Sequence, residues 1–276
     1  MKALRSPVSL ALTAVAAMPM TSMHAQQSND GQTTSALVYE VASVKPSNPQ
    51  NARSVIMVRR DDSRLTVTGI TLKFLIQFAY GHEQALAADL VVGGPPWYDT
   101  ARYDIEAKPA GHRIPSKEEH RQMLRALLAD RFRVSVHTES RQMALFALVA
   151  DKNGPKMKPH QAEDAGEHRG IGPGWSDGGE RVSCRDVSMD ALASFLESTV
   201  FKSPVRNQTG LEGSFDFDLN WTPDETQFGG RYKGASSGEL PDLRTALREQ
   251  LGLRLRPEKA PVDVIVVDHA ERPSGN

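Results

Sequence analysis

Cysteine is almost absent: the 276-residue chain has one, Cys184. A lone thiol excludes an internal disulfide, and it excludes zinc or iron–sulfur sites that need several cysteine ligands. Aromatics are sparse at 6%, and no apolar run approaches the ~20 residues of a membrane-spanning helix. An excess of one charge is missing too. Lys plus Arg (33) nearly cancels Asp plus Glu (34), which argues against a general nucleic-acid binder. What is present, 39% hydrophobic and 24% charged residues, suits a packed soluble chain of one large or two modest domains.

The amino terminus carries an address. Lys2 and Arg5 precede a short apolar stretch at 10–17, and Met23-His24-Ala25 offers a cleavage site, with Ala25 small enough for −1 and Met23 a poor −3 residue. Pro19 and the polar residues from Thr21 stop the run short of a membrane anchor, and the absence of a nearby cysteine excludes a lipoprotein. The pattern predicts a signal peptide over 1–25, cleaved after Ala25, and a polar flexible tail over 26–36. Losing Lys2 and Arg5 leaves 31 bases against 34 acids, a formal charge of −3. The mature protein is expected in the periplasm or outside the cell, with no membrane span and with Cys184 buried.

Periodicity then gives alternating strands and short helices. Residues 37–46 alternate, and 55–58 and 65–67 read as a strand pair around the charged turn at Arg60, Asp61 and Asp62. Thr71 opens a helix with Leu72, Leu75, Ile76 and Ala79 on one face and Gly81 at its end. Gly93-Gly94-Pro95-Pro96 is a stiff turn before a strand at 103–107. Ser116 and Glu119 form a capping box for a helix that buries Met123, Leu124, Leu127 and Leu128. Strands at 132–137 and 143–150 follow, parted by Thr138-Glu139-Ser140.

The end of the chain repeats this pattern. Leu124, Leu128, Phe132, Val134, Val136, Met143 and Leu145 have apolar counterparts 119 residues on (243 − 124) in Leu243, Leu247, Leu251, Leu253, Leu255, Val262 and Val264. Arg125 with Arg244 and Glu139 with Glu258 are identities at the same spacing. Weaker matches link 69–73 to 186–190 and 103–106 to 215–218. The expected architecture is therefore α+β, with two tandem related units of antiparallel strands packed with short helices. They span 37–156 and 181–270, joined by a Gly-, Pro- and His-rich linker at 157–180.

Chemistry is harder to find. Gly234-Ala235-Ser236-Ser237-Gly238 fits a nucleophile-elbow spacing, but loop composition surrounds it instead of a core strand and helix. Gly170-Ile171-Gly172-Pro173-Gly174 lacks the strand–helix setting of a phosphate loop, and Pro173 removes an amide. Cys184 alternates with Val182 and reads as a small core residue. Asp216 and Asp218 alternate with Phe215 and Phe217 and read as a solvated strand face. No H-E-x-x-H occurs, and His112 and His120 do not converge on one ion. No catalytic residue, metal ligand or cofactor is assigned. The candidate partner contacts are Trp97 and Tyr98 on the Pro95-Pro96 loop, and Trp175 in the linker.

At these residues the chain resembles a soil-associated family of secreted bacterial proteins built on a domain of unknown function. Tyr39-Glu40-Val41-Ala42-Ser43-Val44-Lys45-Pro46 is similar to its opening strand, with Tyr39 where Phe is commoner. Gly69-Ile70-Thr71-Leu72 through Ala79-Tyr80-Gly81, and Gly94-Pro95-Pro96-Trp97, resemble its middle. Thr209-Gly210-Leu211-Glu212-Gly213 with Phe215-Asp216-Phe217 and Trp221, then 243–255, resemble its second half. The resemblance brings no catalytic residues. Related domains also stand behind membrane metallopeptidases of the beta-lactamase-sensor type, which by analogy implies extracytoplasmic sensing or binding. The expectation is a non-catalytic binding, sensing or interaction module for an envelope protein or small ligand. The alternative is a secreted hydrolase with a dispersed site, built on Cys184 or Asp216 with a histidine.

Overall fold

A computed structural model describes residues 37–48, 54–58, 63–110, 113–161, 169–176, 179–230, 232 and 240–274. The stretches expected as signal, tail and Arg60-to-Asp62 turn, together with His112 and the Gly234-to-Gly238 match, lie outside those residues. Among the described residues the fold is α+β, with four helices and three four-stranded sheets, two antiparallel and one mixed. No helix there is long and apolar enough to cross a membrane.

The first sheet comprises β1 (Tyr39–Pro46), β2 (Val55–Val58), β3 (Leu65–Thr71) and β5 (Arg102–Pro109), in the order β1-β5-β3-β2. Period-two alternation puts Leu65, Val67, Ile105 and Ala107 inward, where they meet helices α1 (Leu72–Tyr80) and α2 (Lys117–Phe132). The helix signals hold. The Thr71 hydroxyl accepts from the Phe74 amide, Gly81 ends α1, and the Ser116–Glu119 capping box is complete. Helix α2 ends at Arg133, whose φ of 50° places it in the left-handed region.

The third sheet comprises β7 (Lys158–Pro159), β8 (Gly170–Ser176), β9 (Gly179–Ser188) and β11 (Ser214–Trp221), in the order β7-β11-β9-β8. Residues 157–180, expected as a linker, thus supply two of its strands. Their low apolar content follows from position, since both are edge strands with one neighbour each. Helix α3 (Met189–Phe195) runs on through a wider turn at Leu196–Phe201, and α4 (Leu243–Ala246) does likewise through Leu247–Leu251. Their apolar faces join Trp221, Leu219 and Phe217 in a second core.

Between the two lies the mixed sheet. Strands β6 (Ser135–Ala150) and β12 (Leu253–His269) form one long antiparallel ribbon. The expected break at Thr138-Glu139-Ser140 is absent, because the ladder to 263–265 satisfies that polar stretch as exposed strand. Two three-residue strands complete the sheet. β4 (Val91–Gly93), which follows α1, pairs in parallel with Ile265–Val267 of β12. β10 (Val205–Asn207), which follows α3, pairs in parallel with Phe146–Leu148 of β6. Those two docking positions are 119 residues apart (265 − 146). Through these pairings the described residues from Leu37 onward form one compact unit.

The registers of the outer sheets also correspond. In the first, Thr71, Ile70, Val67, Thr66 and Leu65 face Arg102, Tyr103, Ile105, Glu106 and Ala107. In the third, Ser188, Val187, Cys184, Ser183 and Val182 face Ser214, Phe215, Phe217, Asp218 and Leu219. The spacing is 117 residues on one strand and 112 on the other at all five pairs, and the bulge falls at the same step. Lys45-Pro46 sits opposite Asp104 and Tyr103, as Lys158-Pro159 sits opposite Asp216 and Phe215.

Candidate functional site

The aromatic loop predicted as a contact folds inward. Pro96–Asp99 forms one tight helical turn, and Tyr98 is only 6% exposed, packed in the first core. Burial, then the adjacent Asp99 charge, raise its hydroxyl pKa above the usual value. Trp97 is half-buried. It meets Tyr103 edge-on at 6.4 Å between centroids, and the Arg272 guanidinium lies 5.2 Å from its ring centre. Trp175 lies elsewhere, on edge strand β8 opposite Glu180; its side chain is outside the described set. The structure brings Trp97 and Tyr98 together at the rim of the first core, and not Trp175.

Cys184 is fully buried on β9, and burial pushes its thiol up to about 12, with the Asp218 charge adding to the effect. At neutral pH it is a protonated core residue and no nucleophile.

Asp216 and Asp218 alternate with buried Phe215 and Phe217 as expected, but their carboxylates are engaged, Asp216 by His160 and Asp218 by Arg181 and Arg185. His160 Nδ1 lies 3.0 and 3.1 Å from the Asp216 oxygens, and the amide of Asp186 donates to the same carboxylate at 2.8 Å. Burial alone would raise the Asp216 pKa; the amide bond, the His160 bond and nearby charge outweigh it, so the carboxyl stays ionised below its usual range. Asp186 is the bulge residue of β9, at φ 56°. The first sheet carries the same device. The bulge amide of Gly69, at φ 65°, donates to Asp104 at 2.8 Å, and the Ser47 hydroxyl donates to that carboxylate from the position His160 holds. A serine replaces the histidine while the bulge bond persists, so both aspartates serve the bulge. His160 Nε2 is buried with no hydrogen-bond partner among the described residues, so it activates no hydroxyl or thiol there.

The largest departure from the sequence expectations is on α3. Met189, Leu192, Ala193, Leu196 and Val200 form its buried stripe, and Glu197 falls on that same stripe. One Glu197 oxygen accepts from the Ala87 amide at 3.4 Å and the other from Val205 at 3.2 Å. Burial raises the carboxyl pKa above its usual value against those two bonds, which pull it down. A charge on an apolar helical stripe is the signal that marks it in the sequence.

Glu197 borders a groove of about 460 Å³. Its floor is Leu145 and Val262 of the central ribbon. One wall is α3 with Asp190, Ala193 and Ser194; the opposite wall is the start of β10, and His82 and Glu83 close one end. Asn207 donates to Asp190 at 2.8 Å, and Arg206 donates to the Pro261 carbonyl at 2.8 Å, so the rim is held in place. An apolar floor with fixed polar groups and a half-buried carboxyl is the arrangement of a small binding site. Among the described residues, no group of three or more His, Cys, Asp or Glu could hold a metal ion.

Compared with known proteins, residues 73–270 match the family described as a protein of unknown function (DUF3738). No curated protein matches the chain, and no solved structure does.

Proposed function

The chain belongs to the DUF3738 family, and we propose that it is a secreted or periplasmic binding or sensing module without catalytic activity. The α3 groove is the observation that carries this reading. It is concave, apolar-floored and rimmed by polar groups fixed through their own hydrogen bonds, while the other chemistry-bearing groups, Cys184, Asp104 and Asp216, serve the core and the bulges. The address rests on the signal-like residues 1–25. The soil-associated secreted proteins that the sequence resembles fit the same assignment.

The same reading includes a duplicated architecture, with related units at 37–156 and 181–270. The shared strand order, the five matched register pairs, the shared bulge and the 119-residue spacing of the β4 and β10 docking positions support it. The partner is an envelope protein or a small ligand. Trp97, the exposed side of the aromatic loop, is a second contact candidate.

The test uses mature protein from Gln26 onward, immobilised and exposed to envelope extract, with Ser194→Trp to fill the groove. Retention of a partner by the wild type and its loss in Ser194→Trp is expected. Equal retention by both proteins refutes the groove. Amino-terminal sequencing of protein recovered from the periplasm or medium is expected to begin at Gln26; an intact Met1 in the cytoplasm refutes the address.

The second reading, a hydrolase built on the His160–Asp216 contact, needs a nucleophile at His160 Nε2, which has no partner among the described residues. Turnover of an ester or peptide substrate that His160→Ala abolishes would establish it and displace the first.

A further inference from the structure

The two halves differ in the connection from the first helix to the parallel strand, and the groove lies there. In the first half, ten residues, 81–90, connect α1 to β4; in the second, seven residues, 198–204, lie between the counterpart of Tyr80 and β10, and 198–201 of them continue the helix. The long connection is not surplus loop. Ala87 and Leu90 are buried against Val264 of the ribbon, with Leu86, Met143 and Val262 packed beside them. Its backbone is held on α1: the Leu86 amide donates to the Gln77 carbonyl at 2.9 Å, and the Gln77 side-chain amide donates to the Leu86 carbonyl at 2.7 Å.

At the 119-residue spacing, Val264 corresponds to Leu145 and Met143 to Val262, and these are the two ribbon residues that floor the groove. At the 117-residue spacing of the helices, Gln77 corresponds to Ser194, on the groove wall. The groove is therefore the counterpart of the space that the first half fills with its own residues 85–90. We infer that it takes a short apolar peptide segment from a partner polypeptide, seated as 85–90 seats on α1 and β12.

The chemistry of the occupant follows from the internal one. Two leucine-sized side chains four residues apart would meet the half-buried Val262 and the edge of Leu145, which is 4% exposed, with small residues between them where the chain passes the helix. Ser194 and the side chain of Asn207 would meet the peptide backbone in place of Gln77. An apolar floor selects aliphatic side chains over charged ones at the positions that face it.

This inference rests on the proposed binding role, and its failure is separable from the failure of that role. The probe is a fluorescein-labelled, end-blocked octapeptide with the chain's own residues 84–91, titrated against the full mature protein by anisotropy. A variant peptide with serine at both leucine positions and an aliphatic probe, fluorescent octanoate, run in parallel. Saturable binding is expected with a Kd on the order of 10 μM to 1 mM, a range set by the small contact area. It should weaken at least ~10-fold in Ser194→Trp and in Val262→Ser, and vanish for the serine peptide. Because either substitution could disturb folding, a benzophenone-bearing peptide is also cross-linked to wild-type protein, with adducts expected on α3, β10 or the ribbon around Val262.

Octanoate binding that Ser194→Trp blocks, without peptide binding, overturns the peptide occupant and leaves the groove as a site. Peptide binding that is indifferent to both substitutions and cross-links elsewhere overturns the placement. Binding of neither probe overturns the peptide inference, and the envelope-capture assay then decides separately on the binding role.

Discussion

Replacing Asp104 by alanine perturbs the first sheet at one point and tests how far the damage travels. The carboxylate accepts the Gly69 bulge amide at 2.8 Å and the Ser47 hydroxyl. A hydrogen bond to a charged group contributes ~1.5–3 kcal/mol, and two that share one acceptor are not fully additive. The side chain is half-buried, so partial rescue by water lowers the sum, and a loss of ~3 kcal/mol is expected. For a body of this length, 1 kcal/mol shifts the melting temperature by about 2–4 °C, so Tm should fall by roughly 6–12 °C. The effect should not stay local. Strand β4 of the first half pairs with β12, and β10 of the second pairs with β6, so neither core can open alone. Trp221, fully buried in the second core, is the reporter, in a Trp97→Phe, Trp175→Phe background. Urea unfolding followed by its fluorescence and by far-ultraviolet circular dichroism should give one coincident transition, shifted equally by Asp104→Ala. A two-step dichroism curve with an unmoved Trp221 midpoint would refute the reasoning.

Three other outcomes follow from single groups, two of them buried and one half-buried. Cys184, pushed up to about 12 by burial, should resist a disulfide reagent in the native protein and react at once in denaturant, and Cys184→Ser should cost ~1–3 kcal/mol by burying a hydroxyl. Glu197 holds its proton to higher pH in the fold than in the unfolded chain, so its stabilising contribution is full below the ordinary glutamate range and is lost as pH rises through the raised value. Denaturation midpoints between pH 4 and 8 should therefore decline less steeply in Glu197→Gln; identical slopes in the two proteins would contradict this. Gln227 is 2% exposed and accepts the Trp221 indole N–H at 2.8 Å, so Gln227→Leu should lower stability by ~1–3 kcal/mol with no change in the denaturant slope.

Local chemistry was legible in the sequence wherever one residue decides the outcome. Thr71 and Gly81 bound α1, and Ser116 with Glu119 starts α2, because caps act within one turn. The apolar spacing of 119 residues marked the helix-and-ribbon segments, since burial on one face imposes period and volume together. Edge strands were not legible. Lys158–Pro159 and Gly170–Ser176 have one neighbour each, need few apolar residues and so resemble loop. The Lys-Pro pairs at 45–46 and 158–159 were the available signal, and each is followed by the side chain, Ser47 or His160, that bonds the bulge aspartate. Of the candidate site, Glu197 was readable as a charge on an apolar stripe. The groove was not, because its lining comes from α3, β10, the ribbon and residues 82–83, which are far apart in sequence.

The same logic bears on the division at 157–180. A sequence break between two similar halves suggests two bodies that a cut would free. Here the three-residue strands β4 and β10 are too short to hold a sheet on their own, and each has its parallel neighbour in the other half. The cores cross over as well: Leu148 of β6 packs in the second core and Val267 of β12 in the first, at positions 119 residues apart. A fragment ending at 156 would keep its α2 helix and its first sheet, yet expose the ribbon face of β6 and leave β4 unpaired. Separate fragments 37–156 and 157–276 should therefore be unfolded or aggregated alone and should recover a cooperative melt only when mixed. A fragment that melts cooperatively by itself would show that the exchange is dispensable, and would return the two halves to the status of independent domains.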